Sequence, residues 1–202
     1  MPRRCLLCLA PSTVGALCPA CVVDLPRNVA GRPGRLPWTA GVEAPFRYTY
    51  PLDRLVLAFK FHRDAAALEA CSDLLTTNVS DYSLMLDRVV PIPLSRWRYV
   101  KRSYNQASLL AAGIARQQGL QLDCSALRRC RGGVAQSRLP AAARARNVRD
   151  VFEAAPSVRG KRILLVDDVV TTGATVSEAA RTLVRAGACE VRVVALAFSE
   201  RA

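Results

Sequence analysis

Ile163-Leu164-Leu165-Val166-Asp167-Asp168-Val169-Val170-Thr171-Thr172-Gly173-Ala174-Thr175 is the stretch on which the fold turns. Arg162–Asp167 carries a continuous, not alternating, apolar run. That is the pattern of a parallel strand buried on both faces. Gly173–Ala186 sets Val176, Ala180, Leu183 and Val184 at helical spacing and stops at Gly187, so it reads as a helix. A strand feeding a helix through a short polar turn is one half of a strand–helix–strand unit.

The turn itself has a chemistry. Ligands of parallel sheets bind beyond the carboxyl ends of the strands. A small-residue turn entering a helix offers backbone N–H groups and the positive end of the helix dipole to an anion. Thr171, Thr172 and Thr175 add hydroxyls, and Gly173 permits a positive φ. Asp167 and Asp168 would repel a phosphate that they faced. They make sense as acceptors for the neutral hydroxyls of a sugar diol, with Mg²⁺ close by. The string therefore reads as a cradle for ribose 5-phosphate. Acids and threonines that merely shape a turn and cap a helix would explain a single Thr-Thr-Gly, but not the whole run. It is neither a Walker A loop, which needs Gly-Lys-Ser/Thr, nor a dinucleotide fingerprint, which needs further glycines.

Outward from this unit the alternation continues. Val42–Tyr50 is β-like, and Pro45 assigns it to an edge. Residues 52–79 are helical in character, with Leu52, Leu55, Val56 and Phe59 on one face and a break around Phe61-His62-Arg63. Arg88–Pro93 is a short strand. Ser103–Gln118 is a helix in which Ser103 and Gln106 have capping-box spacing. Gln121–Leu127 is strand-like, Leu127–Val151 is a long polar, basic segment, and Glu190–Phe198 is a last strand. The expected architecture is α/β, a parallel sheet flanked by helices, over residues 42–202. Residues 26–41, rich in Pro, Gly and Arg, form a linker.

The 202 residues suffice for one domain with a substantial core and a small appendage. At 51% hydrophobic the chain is globular. Its apolar runs, such as Ile163–Val166 and Val193–Phe198, are too short to span a bilayer. Arg3-Arg4 before Leu6-Leu7-Cys8-Leu9-Ala10 imitates a signal peptide, but Pro11-Ser12-Thr13 and paired cysteines interrupt it. The expected location is the cytoplasm, without membrane insertion.

Cys5-x2-Cys8 and Cys18-x2-Cys21 have the spacing of a tetrahedral four-cysteine zinc site. Residues 1–25 then form a knuckle in which zinc folds a segment too short for a core of its own. A structural role is expected, with contact to nucleic acid through Arg3, Arg4 and Arg27 as the alternative.

The net charge is +13. It concentrates between Arg88 and Arg149, where thirteen Lys/Arg face the single acid Asp123. Such a segment suits a polyanion, either a phosphorylated small molecule or nucleic acid. Arg96-Trp97-Arg98-Tyr99-Val100-Lys101-Arg102-Ser103-Tyr104 interleaves cations with aromatics, which suits single-stranded DNA. The plainer alternative is that these rings pack the junction between strand and helix.

Ile163–Thr175 resembles the 5-phosphoribosyl-1-pyrophosphate (PRPP) motif of type I phosphoribosyltransferases. The order of further motifs resembles the ComF family of competence-associated, phosphoribosyltransferase-like proteins. These are the four N-terminal cysteines, Val90-Pro91-Ile92-Pro93-Leu94-Ser95, Arg102-x-x-Asn105-Gln106, Gln136-x-x-Leu139-x4-Arg144-x-x-Asn147 and Phe152. Ser103-Tyr104 stand where that family usually has Gly-Phe, and Asp150-Val151 where it often has Gly-Ala.

The resemblance implies a type I phosphoribosyltransferase fold with a small N-terminal zinc knuckle. It implies that Asp167 and Asp168 hold the ribose hydroxyls, and that Thr171, Thr172, Gly173, Ala174 and Thr175 bind the 5′-phosphate of Mg·PRPP. Ser95 and Arg96 fall in the pyrophosphate loop. Arg102, Asn105, Gln106, Gln136, Arg144 and Asn147 are further pyrophosphate and loop candidates, with Arg128–Arg149 as a mobile loop hinged at Gly132-Gly133. The implied activity is phosphoribosyl transfer to an acceptor that the sequence does not name, in the service of DNA uptake. The alternatives are a single-stranded-DNA-binding accessory protein or a PRPP sensor without turnover. The expected partners are PRPP, single-stranded DNA and a DNA-uptake helicase, and self-association is left open.

Overall fold

The computed structural model describes residues 3–12, 15–28, 36–95, 104–130 and 150–199. Its centre is a wholly parallel sheet. Strands β3 (Gly41–Glu43) and β4 (Phe46–Arg47) form one interrupted edge along β10 (Glu190–Phe198). Next come β9 (Arg162–Val170), β5 (Arg88–Pro91) and β6 (Gln121–Leu122), in the order β3-β10-β9-β5-β6. The interruption falls at Ala44-Pro45, where the proline cannot donate to a ladder, as the edge assignment requires.

Side chains alternate across the central strands and divide the core in two. Leu164, Val166, Val194 and Leu196 pack with helices α2 (Leu52–His62), α3 (Ala65–Asn78) and α4 (Gln106–Gln118). Ile163, Leu165, Val191 and Val193 pack with α5 (Ala174–Arg185) on the other face. Both faces are covered, which is why these strands read as unbroken apolar runs.

Residues 52–79 form two helices that part at the break expected around Phe61-His62-Arg63. Arg63 takes a left-handed φ of 55° and Asp64 then caps α3 by accepting the Ala67 N–H at 3.0 Å. Other boundaries differ from the sequence expectation. Helix α4 starts at Gln106, not Ser103, and its cap is Asn105, whose carboxamide oxygen accepts the Ala107 N–H. Ser103 itself lies outside the described residues. Strand β9 runs on to Val170, because Asp167 to Val170 keep pairing with β10 as far as Phe198. Gln121–Leu127 divides into β6 and a turn. Leu127–Arg129 (β7) then pairs antiparallel with Phe152–Ala154 (β8), so the long basic segment starts and ends in a ribbon.

The N-terminal residues add a two-residue hairpin, β1 (Arg3–Arg4) with β2 (Pro11–Ser12), and a short helix α1 (Pro19–Val23). Cys5, Leu17, Cys18 and Leu25 share a core with Phe46 and Leu52. The Pro26 carbonyl accepts the Arg47 N–H, and Arg27 stands over the Phe46 ring at 4.9 Å. Among the described residues no helix is long and apolar enough to cross a membrane.

Candidate functional site

Asp167 and Asp168 occupy the carboxyl end of β9, half-buried and still within the strand. Each is tethered locally. Asp167 Oδ1 accepts the Asp168 N–H at 2.8 Å, and Asp168 Oδ1 accepts the Val169 N–H at 2.6 Å. The chain then turns through Thr171 and Thr172 to Gly173, whose φ of +74° makes it the left-handed cap of α5. The first-turn amides of a helix have no acceptor inside it. Here the Ala174 N–H leans on Thr172 Oγ1 at 3.4 Å, and among the described residues the Thr171 and Thr175 hydroxyls have no hydrogen-bond partner. Leu36 lies over Gly173, with its δ-carbons 2.5 and 2.7 Å from where a Cβ would stand. The loop thus presents amides, hydroxyls and a positive dipole end beside two carboxylates, the donors and acceptors that a sugar phosphate needs.

Sequence reading missed three polar residues behind the acids. Lys60 of α2 forms an ion pair with Asp168, Nζ to Oδ2 at 2.9 Å, with both side chains largely buried. Asp53, two turns earlier on the same helix, has a buried Oδ1 without a hydrogen-bond partner among the described residues. Tyr48 follows β4, and its hydroxyl is pushed above the usual phenol range by burial first, then by Asp53 and Asp168. Beneath them Cys71 is fully buried, and burial raises its thiol strongly. None of these positions carries a local motif.

The remaining candidates divide. Asn105 does more than cap α4: its Nδ2 donates to the Ile92 carbonyl at 2.9 Å, tying the helix to the segment after β5 that leads to Ser95. Gln106 is buried at the start of α4, and Ser95 is half-buried. Tyr104 donates its hydroxyl to the Phe59 carbonyl, so this ring packs the junction. Arg96, Arg102, Gln136, Arg144 and Asn147 lie outside the described residues. The ribbon that leads into 131–149 is anchored by buried Leu127 and Phe152, with Arg129 over the Phe152 ring at 5.3 Å.

At the N-terminus the sulfurs of Cys5, Cys8, Cys18 and Cys21 all lie within 4.8 Å of one another. Zn–S bonds of about 2.3 Å in a tetrahedron put sulfurs roughly 3.8 Å apart. Cys8 and Cys18, at 3.6 Å, already match, so the cluster fits a metal ion. Burial opposes ionisation of Cys5, but the backbone N–H groups of Cys8, Cys18 and Leu7 outweigh it and bring this thiol down to about 6. Gly15, at φ +73°, makes the turn between the two pairs.

Residues 105–201 match the phosphoribosyl transferase domain family. The chain is 34% identical over 220 residues to the DNA utilization protein YhgH of Escherichia coli (strain K12), covering 96% of each. It is 32% identical over 158 residues to Competence protein F of Haemophilus influenzae, covering 74% of this chain and 69% of that one. It is 32% identical over 187 residues to Competence protein ComFC of Bacillus subtilis, covering 91% and 72%. Strands β9 and β10, the acids at the end of β9 and the Gly173-capped helix fall within the matched residues, whereas β3, β4 and β5 precede them. With its four clustered cysteines and its similarity to these relatives over most of its length, this chain belongs to the ComF family, built on a type I phosphoribosyltransferase fold.

Proposed function

We propose that the carboxyl edge of the sheet binds Mg·PRPP and that the protein works in the cytoplasm, in the DNA utilisation and competence that its relatives' names state. The single observation that carries the ligand is the run from Asp167-Asp168 through Thr171–Thr175 into the Gly173-capped helix. In this reading the two carboxylates accept the ribose hydroxyls, and the loop amides with Thr171, Thr172 and Thr175 take the 5′-phosphate. Ser95, Asn105 and Gln106 are the described candidates for the pyrophosphate side; Arg96, Arg102, Gln136, Arg144 and Asn147, the other candidates, lie outside the described residues. Mg²⁺ would supply charge neutralisation for the leaving pyrophosphate. The chain's own part is positioning and electrostatic stabilisation, which needs no covalent nucleophile.

Residues 1–25 are the zinc knuckle, 26–41 the linker and 42–202 the phosphoribosyltransferase-like domain. Zn²⁺ fits the four sulfurs and stabilises the segment that carries them. Whether the bound phosphoribosyl group is transferred or only sensed depends on an acceptor, and single-stranded DNA and a DNA-uptake helicase are the partners to try.

Calorimetry of the zinc-loaded protein with PRPP and Mg²⁺ tests this reading beside the Asp167→Asn/Asp168→Asn variant. Binding by the wild type alone supports it. A folded wild type that does not bind overturns it.

A further inference from the structure

We propose that Lys60 is a built-in counter-cation for the acid pair, a positioning residue that lets the site accept a polyanionic sugar phosphate with less dependence on Mg²⁺. The inference rests on the PRPP reading above and adds to it a residue from outside the motif.

Two adjacent carboxylates at the mouth of an anion site place like charge beside the phosphates they are meant to help hold. Lys60 removes one of those charges. Its Nζ lies 2.9 Å from Asp168 Oδ2, with the two side chains 14% and 13% exposed, so solvent screens the pair little. Asp168 Oδ1 is held by the Val169 N–H. Each oxygen of Asp168 therefore has one partner inside the protein and keeps a lone pair for a ribose hydroxyl, while a divalent ion at Oδ2 would compete with Lys60.

The placement of Lys60 is overdetermined. Leu52, Leu55, Val56 and Phe59 bury one face of α2, and the Phe59 carbonyl takes the hydroxyl of Tyr104, next to the Asn105 cap of α4. Negative charge is not confined to Asp168 here, since Asp53 on the same helix has a buried oxygen without a hydrogen-bond partner among the described residues. Lys60 is the cation that the described residues pair with Asp168 in this carboxylate-rich corner.

The test is the PRPP dissociation constant of the zinc-loaded full chain across a Mg²⁺ titration, for wild type, Lys60→Met and Lys60→Arg. At low Mg²⁺, Lys60→Met should bind roughly tenfold more weakly or worse, as the loss of a partly buried charge contact predicts. The deficit should narrow as Mg²⁺ rises, because a divalent ion can take the vacated Oδ2. Lys60→Arg should restore most of the affinity. A purely structural lysine would lower affinity equally at every Mg²⁺ concentration. If Lys60→Met does not fold by circular dichroism, Lys60→Gln carries the same comparison. Wild-type binding with an unchanged Mg²⁺ dependence in the folded variant overturns the role of Lys60 and leaves the PRPP reading standing. Absence of wild-type binding overturns both.

Discussion

Gly173 is where one residue decides the geometry of the site. Its φ of +74° lies in the left-handed region, which costs an L side chain about 1–2 kcal/mol. A Cβ there would also stand 2.5 Å from a Leu36 δ-carbon. Gly173→Ala is expected to lower stability by about 1–3 kcal/mol, read by urea unfolding. Adding Leu36→Ala should relieve the steric part but not the backbone part, so recovery by the double variant should be incomplete. Full recovery would mean that the φ carries no cost. Gly173 and its neighbours were legible in the sequence because their chemistry is contiguous: acids, turn, hydroxyls and helix cap follow in order. Lys60 was not. Its partner Asp168 is distant in the chain, and Phe59-Lys60-Phe61 on its own is an ordinary stretch of amphipathic helix. Only the folding of α2 over the end of β9 makes the lysine part of the site.

At the scale of elements, continuous apolar runs and helical spacing located the strands and helices well, but the ends were set by side chains acting locally or across the sheet. Asn105 wins the cap of α4 because it satisfies the Ala107 N–H and the Ile92 carbonyl at once. Periodicity does not carry that information. The start of β9 is fixed in a similar way. Asp87 accepts the Arg162 backbone N–H at 2.7 Å and meets its guanidinium at 3.1 Å, joining the lead-in of β5 to β9. The Arg162 guanidinium and backbone N–H bring the Asp87 carboxyl down to about 2. An unfolded Asp titrates near 3.9, so the folded value is the lower one. The contact therefore stabilises the fold fully above about pH 4 and is lost as pH falls through about 2. Both side chains are substantially exposed, so its worth is small and shrinks with salt. Asp87→Asn should melt slightly below wild type at neutral pH, and the two should converge between about pH 4 and pH 2. A gap that persists unchanged at the acid end would assign the effect to packing.

At the scale of the molecule, strand order was the least legible feature. The N-terminal edge β3/β4 lies against the C-terminal strand β10, a pairing between distant parts of the chain that local pattern cannot fix. The same pairing ties the cysteine segment to the domain. Leu17 and Leu25 share a core with Phe46, the first residue of β4, and the Pro26 carbonyl and the Arg27 ring contact hold β4 from outside. A metal held by the cysteines would thus be linked to the sheet edge that leads through Tyr48 toward Asp53 and Lys60. Chelation, or Cys8→Ser at the exposed cysteine of the cluster, is expected to cost more than the unfolding of a free appendage. Scanning calorimetry should show Tm falling by roughly 6–12 °C, which corresponds to about 3 kcal/mol in a domain of this size. PRPP affinity should fall with it, because the β4-to-α2 segment loses its outer support. A domain whose Tm and PRPP affinity both survive metal removal would show instead that the knuckle is energetically separate from the sheet, despite the core they share.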